Sequence, residues 1–188
     1  MKELEILHTI TTTVEEADVL DPVVDGVRTV VTSVPRSVRE LLHGDPAGHT
    51  LHPAIILLPV GAWIGSAILD FVPGSQKAAR VLVGAGVATV LPAVVTGLAD
   101  WSMLPEKRQQ RVGLVHAASN TVATTLYAAS FVQRTRGKHA SGRLFGLAGL
   151  AVVGISGYLG GHLAYRQGAS VELEPGETPT GAARLTAV

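Results

Sequence analysis

Four stretches of this chain contain no Asp, Glu, Lys or Arg: residues 46–69, 81–99, 112–133 and 144–165. They are 24, 19, 22 and 22 residues long. A helix needs about 20 mainly apolar residues to cross bilayer hydrocarbon about 30 Å thick. Backbone N–H and C=O groups find no water there, so each span must satisfy them internally, which makes helices the natural form. The pattern therefore predicts an all-α membrane protein. Short connections favour an up-down-up-down four-helix transmembrane bundle, preceded by an N-terminal amphipathic helix. Charged residues make up only 16% of the chain, against about 25% in soluble domains.

The same composition excludes several function classes. With no cysteine, disulfides, thiolate nucleophiles, Cys-type zinc sites and iron–sulfur ligation fall away. A net charge of +0, with no basic stripe interleaved with aromatics, argues against a nucleic-acid partner. The first residues carry Glu3, Glu5, Glu15, Glu16 and Asp18, with neither the basic nor the apolar region of a signal peptide. No His-Glu-x-x-His pair, nucleophile elbow or phosphate loop occurs. An electron carrier or a subunit of a complex is expected before a stand-alone enzyme.

Four segments follow from the patterning. Residues 1–18 are polar and are expected to form a loosely ordered tail. In residues 19–45, Leu20, Val23, Val24, Val27, Val30, Val31, Val34, Val38, Leu41 and Leu42 recur at three- and four-residue intervals. That period marks an amphipathic interfacial helix bent near Pro35. Residues 46–168 hold the four spans, and residues 169–188, with Pro175 and Pro179, read as a disordered tail. His52 is placed as the N-cap before Pro53. Pro59 and Pro92 fall inside the first two spans, where each should free a carbonyl one turn earlier. Gly61 with Gly65, Ala93 with Gly97 and Gly157 with Gly161 have the small-xxx-small spacing of close helix contacts, which allows a homodimer.

Alternating spans put both termini and the connection between spans two and three on one side, face A. The other two connections lie on face B. Each face carries six flanking Lys and Arg residues, so the positive-inside rule does not orient the chain. The charged N-terminal segment, hard to translocate, favours a cytoplasmic face A.

On this topology the histidines gather. His49 and His52 open span one, His116 lies one turn into span three, and His162 lies one turn before the end of span four. Asp100 closes span two on the same face. Asn120 follows His116 by one turn, Tyr158 precedes His162 by one turn, and Arg111 and Arg166 flank them. Ionisable groups inside a membrane are usually functional. Three readings stand. A b-type haem would take two of His52, His116 and His162 as axial ligands, with the third, or His49, Asn120, Tyr158, Arg111 or Arg166, around it. A transition-metal ion (Zn, Cu or Fe), serving sensing or transport, would use the three imidazoles with Asp100. A structural polar network, in a subunit of a larger complex, needs no cofactor.

Gly48-His-x-Leu-His-Pro53, Thr96-Gly-Leu-Ala-Asp-Trp101, Arg111-Val-Gly-Leu-Val-His-Ala-Ala-x-Asn120 and Gly157-Tyr-Leu-Gly-Gly-His-Leu-x-Tyr165 occur in this order. Together they resemble the bacterial integral membrane family called domain of unknown function 2231, over about residues 19–171. Some members of that family are joined to a Rieske-type iron–sulfur domain. The resemblance thus implies redox company, which here would be a separate Rieske-type or other redox protein.

Overall fold

The computed structural model describes residues 2–168, with side chains from residue 9 onward, and the tail expected over 169–188 lies outside the described residues. All regular structure among them is helical: α1 (Lys2–Glu15), α2 (Asp21–Thr32), α3 (Arg36–His43), α4 (His52–Ile55), α5 (Leu57–Leu69), α6 (Gln76–Ala88), α7 (Val90–Met103), α8 (Lys107–Thr135) and α9 (His139–Tyr165), with 3-10 turns at Asp18–Leu20 and Asp45–Ala47.

Proline chemistry accounts for the two breaks inside the apolar segments. A proline lacks the N–H that would bond residue i−4, and its ring crowds that carbonyl. Four residues before Pro59 is Ile55, the last residue of α4, and four before Pro92 is Ala88, the last of α6. Span one is thus α4 and α5 in series, and span two is α6 and α7. His52 is the first residue of α4 and Leu51 its N-cap, one position earlier than expected.

Three segments are long and apolar enough to cross a membrane: His52–Leu69, Gln76–Met103 and His139–Tyr165. Only 17–22% of each is buried inside the protein. Leu57, Leu58, Ile64, Ile68, Leu91, Leu144, Leu147 and Ile155 are exposed, far more apolar surface than a water-soluble monomer tolerates. α8 is as long as any of them, 29 residues, or about 43 Å, but it carries many hydroxyls. Ser119, Thr121, Thr124 and Thr125 each donate to the carbonyl four residues earlier, at 2.8–2.9 Å, so they add no unsatisfied donor to an apolar setting. Its start is held by a capping box between Glu106 and Gln109.

α8 packs along α9 as an antiparallel hairpin, and α5 does the same with α6. α6 also lies against α8, and α5 against α9. In the centre, Trp63 of α5 stacks on Tyr127 of α8 with ring centroids 4.0 Å apart and planes 7° from parallel. Glycines make room on both sides. A Cβ at Gly86 would stand 2.3 Å from Trp63 Nε1, and one at Gly149 2.8 Å from Tyr127 Cε2.

The N-terminal third departs from expectation. The expected loose tail contains α1. Its C-terminal end is tied down by Glu15, and α1 packs on α8. The expected single amphipathic helix over 19–45 is two helices, because Pro35 follows α2 and starts α3. Val24 is fully buried against Trp101 and Leu104. Val23, Val30, Val38 and Leu41 stay exposed. Gly44 closes α3 at φ +115, in a turn so tight that a Cβ would lie 2.2 Å from the His49 carbonyl oxygen. These three helices form a cap across face A.

Candidate functional site

Polar side chains cluster at both ends of the bundle. Toward face A, His116 on α8 is half-buried between α8 and α9. Its Nδ1 lies 2.8 Å from the Ser156 carbonyl oxygen, and its Nε2 lies 3.0 Å from Asn120 Nδ2. The Ser156 hydroxyl donates to Asn120 Oδ1 at 2.8 Å. These partners assign the tautomer: Nδ1 carries the proton to the carbonyl, and Nε2 keeps its lone pair toward the amide. Gly160 lets the ring lie flat on α9, since a Cβ there would meet His116 Cε1 at 3.0 Å.

His52 repeats the arrangement against α7. Its Nδ1 lies 3.3 Å from Thr96 Oγ1. The Thr96 hydroxyl donates to the Pro92 carbonyl at 2.9 Å, so its oxygen is left to accept from the imidazole. Gly97 provides the space, a Cβ there standing 2.9 Å from His52 Cε1. Two histidines on different spans thus share one pattern: Nδ1–H tied to an oxygen, a glycine under the ring, and Nε2 unprotonated.

The other expected residues go elsewhere. His162 donates from Nε2 to Glu15 Oε1 at 2.6 Å, and Gln167 donates to the same oxygen at 2.7 Å. Asp100 accepts from His43 Nδ1 at 2.8 Å. Arg111 grips Asp21 with Nε and Nη2 at 2.8 and 2.9 Å, reaches Asp18 at 2.5 Å, and donates to the Glu15 carbonyl at 2.7 Å. That guanidinium holds the Asp21 carboxyl below its ordinary value of 3.8. Tyr158, Arg166 and His49 are exposed. Among the described residues, no group of three or more His, Asp or Glu is placed to hold a metal ion. His116 and Asn120 therefore stay together, His52 lies against α7, and His162, Asp100 and Arg111 fasten the cap.

Sequence reasoning missed a second polar centre, toward face B. Asp70, just past α5, receives two hydrogen bonds from Arg134 of α8 at 2.7 and 2.6 Å. The Arg134 side chain is 1% exposed and that of Asp70 10%. Arg134 Nε also donates to Ser130, whose hydroxyl donates to the Gly142 carbonyl at 2.6 Å. Arg134 sits at the edge of a charge-free stretch and reads as a loop cation. The available signal was Asp70 itself, a single acid between two apolar stretches, which called for a cation on a neighbouring helix.

No curated protein and no solved structure matches this chain. A family described as "Predicted membrane protein (DUF2231)" matches residues 48–173, which covers α4 to α9 and both polar centres. The chain belongs to that family of membrane proteins.

Proposed function

We propose that this chain is an integral membrane electron carrier of four antiparallel spans (α4–α5, α6–α7, α8 and α9) that takes one b-type haem, which His52 and His116 would hold. The observation that carries the reading is the shared state of these two imidazoles. In each, Nδ1–H is engaged by an oxygen and the lone pair is left on Nε2. A histidine ligating through Nε2 needs that state, and the Nδ1–H bond orients the ring and raises its basicity. Bound haem supplies a one-electron couple at its iron. The chain's own groups would orient the imidazoles through Ser156 and Thr96 and shield that end from water with the face A cap. His49 and Arg166, both exposed on face A, are free to meet propionates, whereas Arg111 is committed to Asp21 and Asp18. The electron partner would be a separate redox protein, of Rieske type or other.

A second reading has one observation behind it. Asn120 already occupies His116 Nε2, so His116, Asn120 and Ser156 form a closed set of hydrogen bonds that clamps α8 to α9 without any cofactor. An absorption spectrum separates the two. Protein purified after haem supplementation should show a Soret band that His52→Ala and His116→Ala each abolish and that Asn120→Ala retains. A colourless preparation with native folding would leave the clamp as the role of this network.

A further inference from the structure

Face B carries a charge pattern that the haem reading does not use. Its two connections with the helix ends beside them, residues 70–80 and 134–143, hold Lys77, Arg80, Arg134, Arg136, Lys138 and Arg143 against a single acid, Asp70. Arg134 takes both oxygens of that acid, and Arg143 Nε approaches it only to 3.6 Å. Among the described residues, Lys77, Arg80, Arg136 and Lys138 have no carboxylate partner. Face A differs in degree: Arg36, Lys107, Arg108 and Arg111 each meet an acid, and among the described residues only Arg39 and Arg166 of its six flanking cations do not. Among the described residues, the excess positive charge at face B is therefore not neutralised.

Its position makes the excess costly. α6 and α9 both begin at face B, and neither has a side-chain cap or an acid in its first turn. Helix N-termini carry partial positive charge and unsatisfied N–H groups, and cations there are unfavourable. Yet Lys77 and Arg80 lie in the first turns of α6, and Lys138 and Arg143 lie at the start of α9. His139 Nδ1 has no hydrogen-bond partner, and Arg143 Nε has only the Asp70 carboxylate, at 3.6 Å. A local arrangement that opposes the dipole, without compensation inside the fold, suits an anion from outside. Beside it the surface turns apolar. Phe71 is 80% exposed and Leu144 70%, and both continue the outward apolar surface of the spans.

We propose that face B is a docking surface for anionic phospholipid headgroups. One phosphodiester would sit beside Lys77 and Arg80 at the start of α6 and another beside Lys138 and Arg143 at the start of α9, with acyl chains along the exposed Phe71 and Leu144. Phosphatidylglycerol satisfies both halves of this surface, whereas a zwitterionic headgroup brings its own cation to cations. The proposal rests on the membrane-spanning reading and is independent of haem.

The test uses the full chain in detergent micelles doped with equal amounts of phosphatidylglycerol and phosphatidylcholine, with retained lipid counted by mass spectrometry. Phosphatidylglycerol should be retained at least tenfold over phosphatidylcholine; Lys77→Gln and Lys138→Gln should each lower that preference, and the two together should lower it about fivefold. Lys107→Gln on face A should leave it unchanged. Raising salt should weaken the preference of the unmodified chain, a readout that needs no variant to fold. Equal retention of both lipids, an equal loss in Lys107→Gln, or salt-insensitive retention would overturn the proposal. So would displacement by glycerol 3-phosphate at the lipid's own concentration, which would assign the site to a free phosphate. A missing Soret band would leave this result untouched.

Discussion

At face B, one carboxylate and one guanidinium are sealed in the protein interior, and they join the end of α5 to α8 and the start of α9. At face A, the groups between the spans are two imidazoles, an amide and two hydroxyls, and the ion pairs sit further out, between the cap and the bundle. A buried charge tolerates no vacancy, because its partner is left uncompensated in a low dielectric. A neutral hydrogen-bonding group can exchange its partner at modest cost. The charged end is accordingly suited to fixing helix register, and the groups at the neutral end are the freer to change partners.

The largest effect should come from dividing the Asp70–Arg134 pair. Asp70→Ala leaves the almost fully buried Arg134 unpaired and should cost about 3–5 kcal/mol in unfolding measured in detergent micelles. The double variant Asp70→Leu with Arg134→Leu should recover most of that loss, since neither charge then remains. On face A, Ser156→Ala should cost only about 1–3 kcal/mol. Equal losses at the two ends would break the comparison.

Glycines on α9 sharpen it along one helix. A Cβ at Gly142 would lie 2.5 Å from Arg134 Cγ, close to the backbone-anchored part of a side chain whose far end is held by Asp70. At Gly160 the closest atom, His116 Cε1, lies at 3.0 Å. At Gly154 nothing lies within 4 Å. Gly142→Ala should therefore destabilise by about 1–3 kcal/mol, and Gly160→Ala by less. Gly154→Ala should be neutral or stabilising by up to about 1 kcal/mol. The same micelle unfolding series ranks all three, and a larger loss at Gly160 than at Gly142 would reverse the assignment of the rigid end.

The apolar stretches and their prolines were legible because both act locally. A charge-free run of about 20 residues reports span length directly, and Pro59 and Pro92 act on the carbonyls of Ile55 and Ala88 in the same helix. The pairing of His116 with Asn120 was legible for the same reason, one helical turn separating them. What was not legible is pairing across the fold. His162 with Glu15 is 147 residues apart in sequence, and Arg134 with Asp70 is 64. Nothing local distinguishes Arg134 from its loop neighbours Arg136 and Lys138, since only the three-dimensional position of Asp70 does so. The cap stayed hidden because the polar residues of α1 look solvent-directed until α8 and α9 supply Arg111 and His162.

The smallest effect should come from titrating the cap, and it tests whether the outer ion pairs of face A are separable from the interior. Hydrogen bonding from Arg111 holds the Asp21 carboxyl below its ordinary 3.8 in the folded chain. A carboxyl with a lowered folded value favours the docked cap when ionised. Its contribution is therefore fully present above pH 3.8 and is lost as pH falls below 3.8 through the lowered value. Amide protection in α2, taken relative to the intrinsic exchange rate at each pH, should fall across that window while protection in α9 is kept, and Asp21→Asn should lower α2 protection at neutral pH and flatten its dependence on acid. Because the pair is reached by solvent, added salt should shrink the difference. Concerted loss of protection in α2 and α9 would mean that the cap and the bundle are one cooperative unit, and that the two ends of the molecule differ in composition but not in mechanical independence.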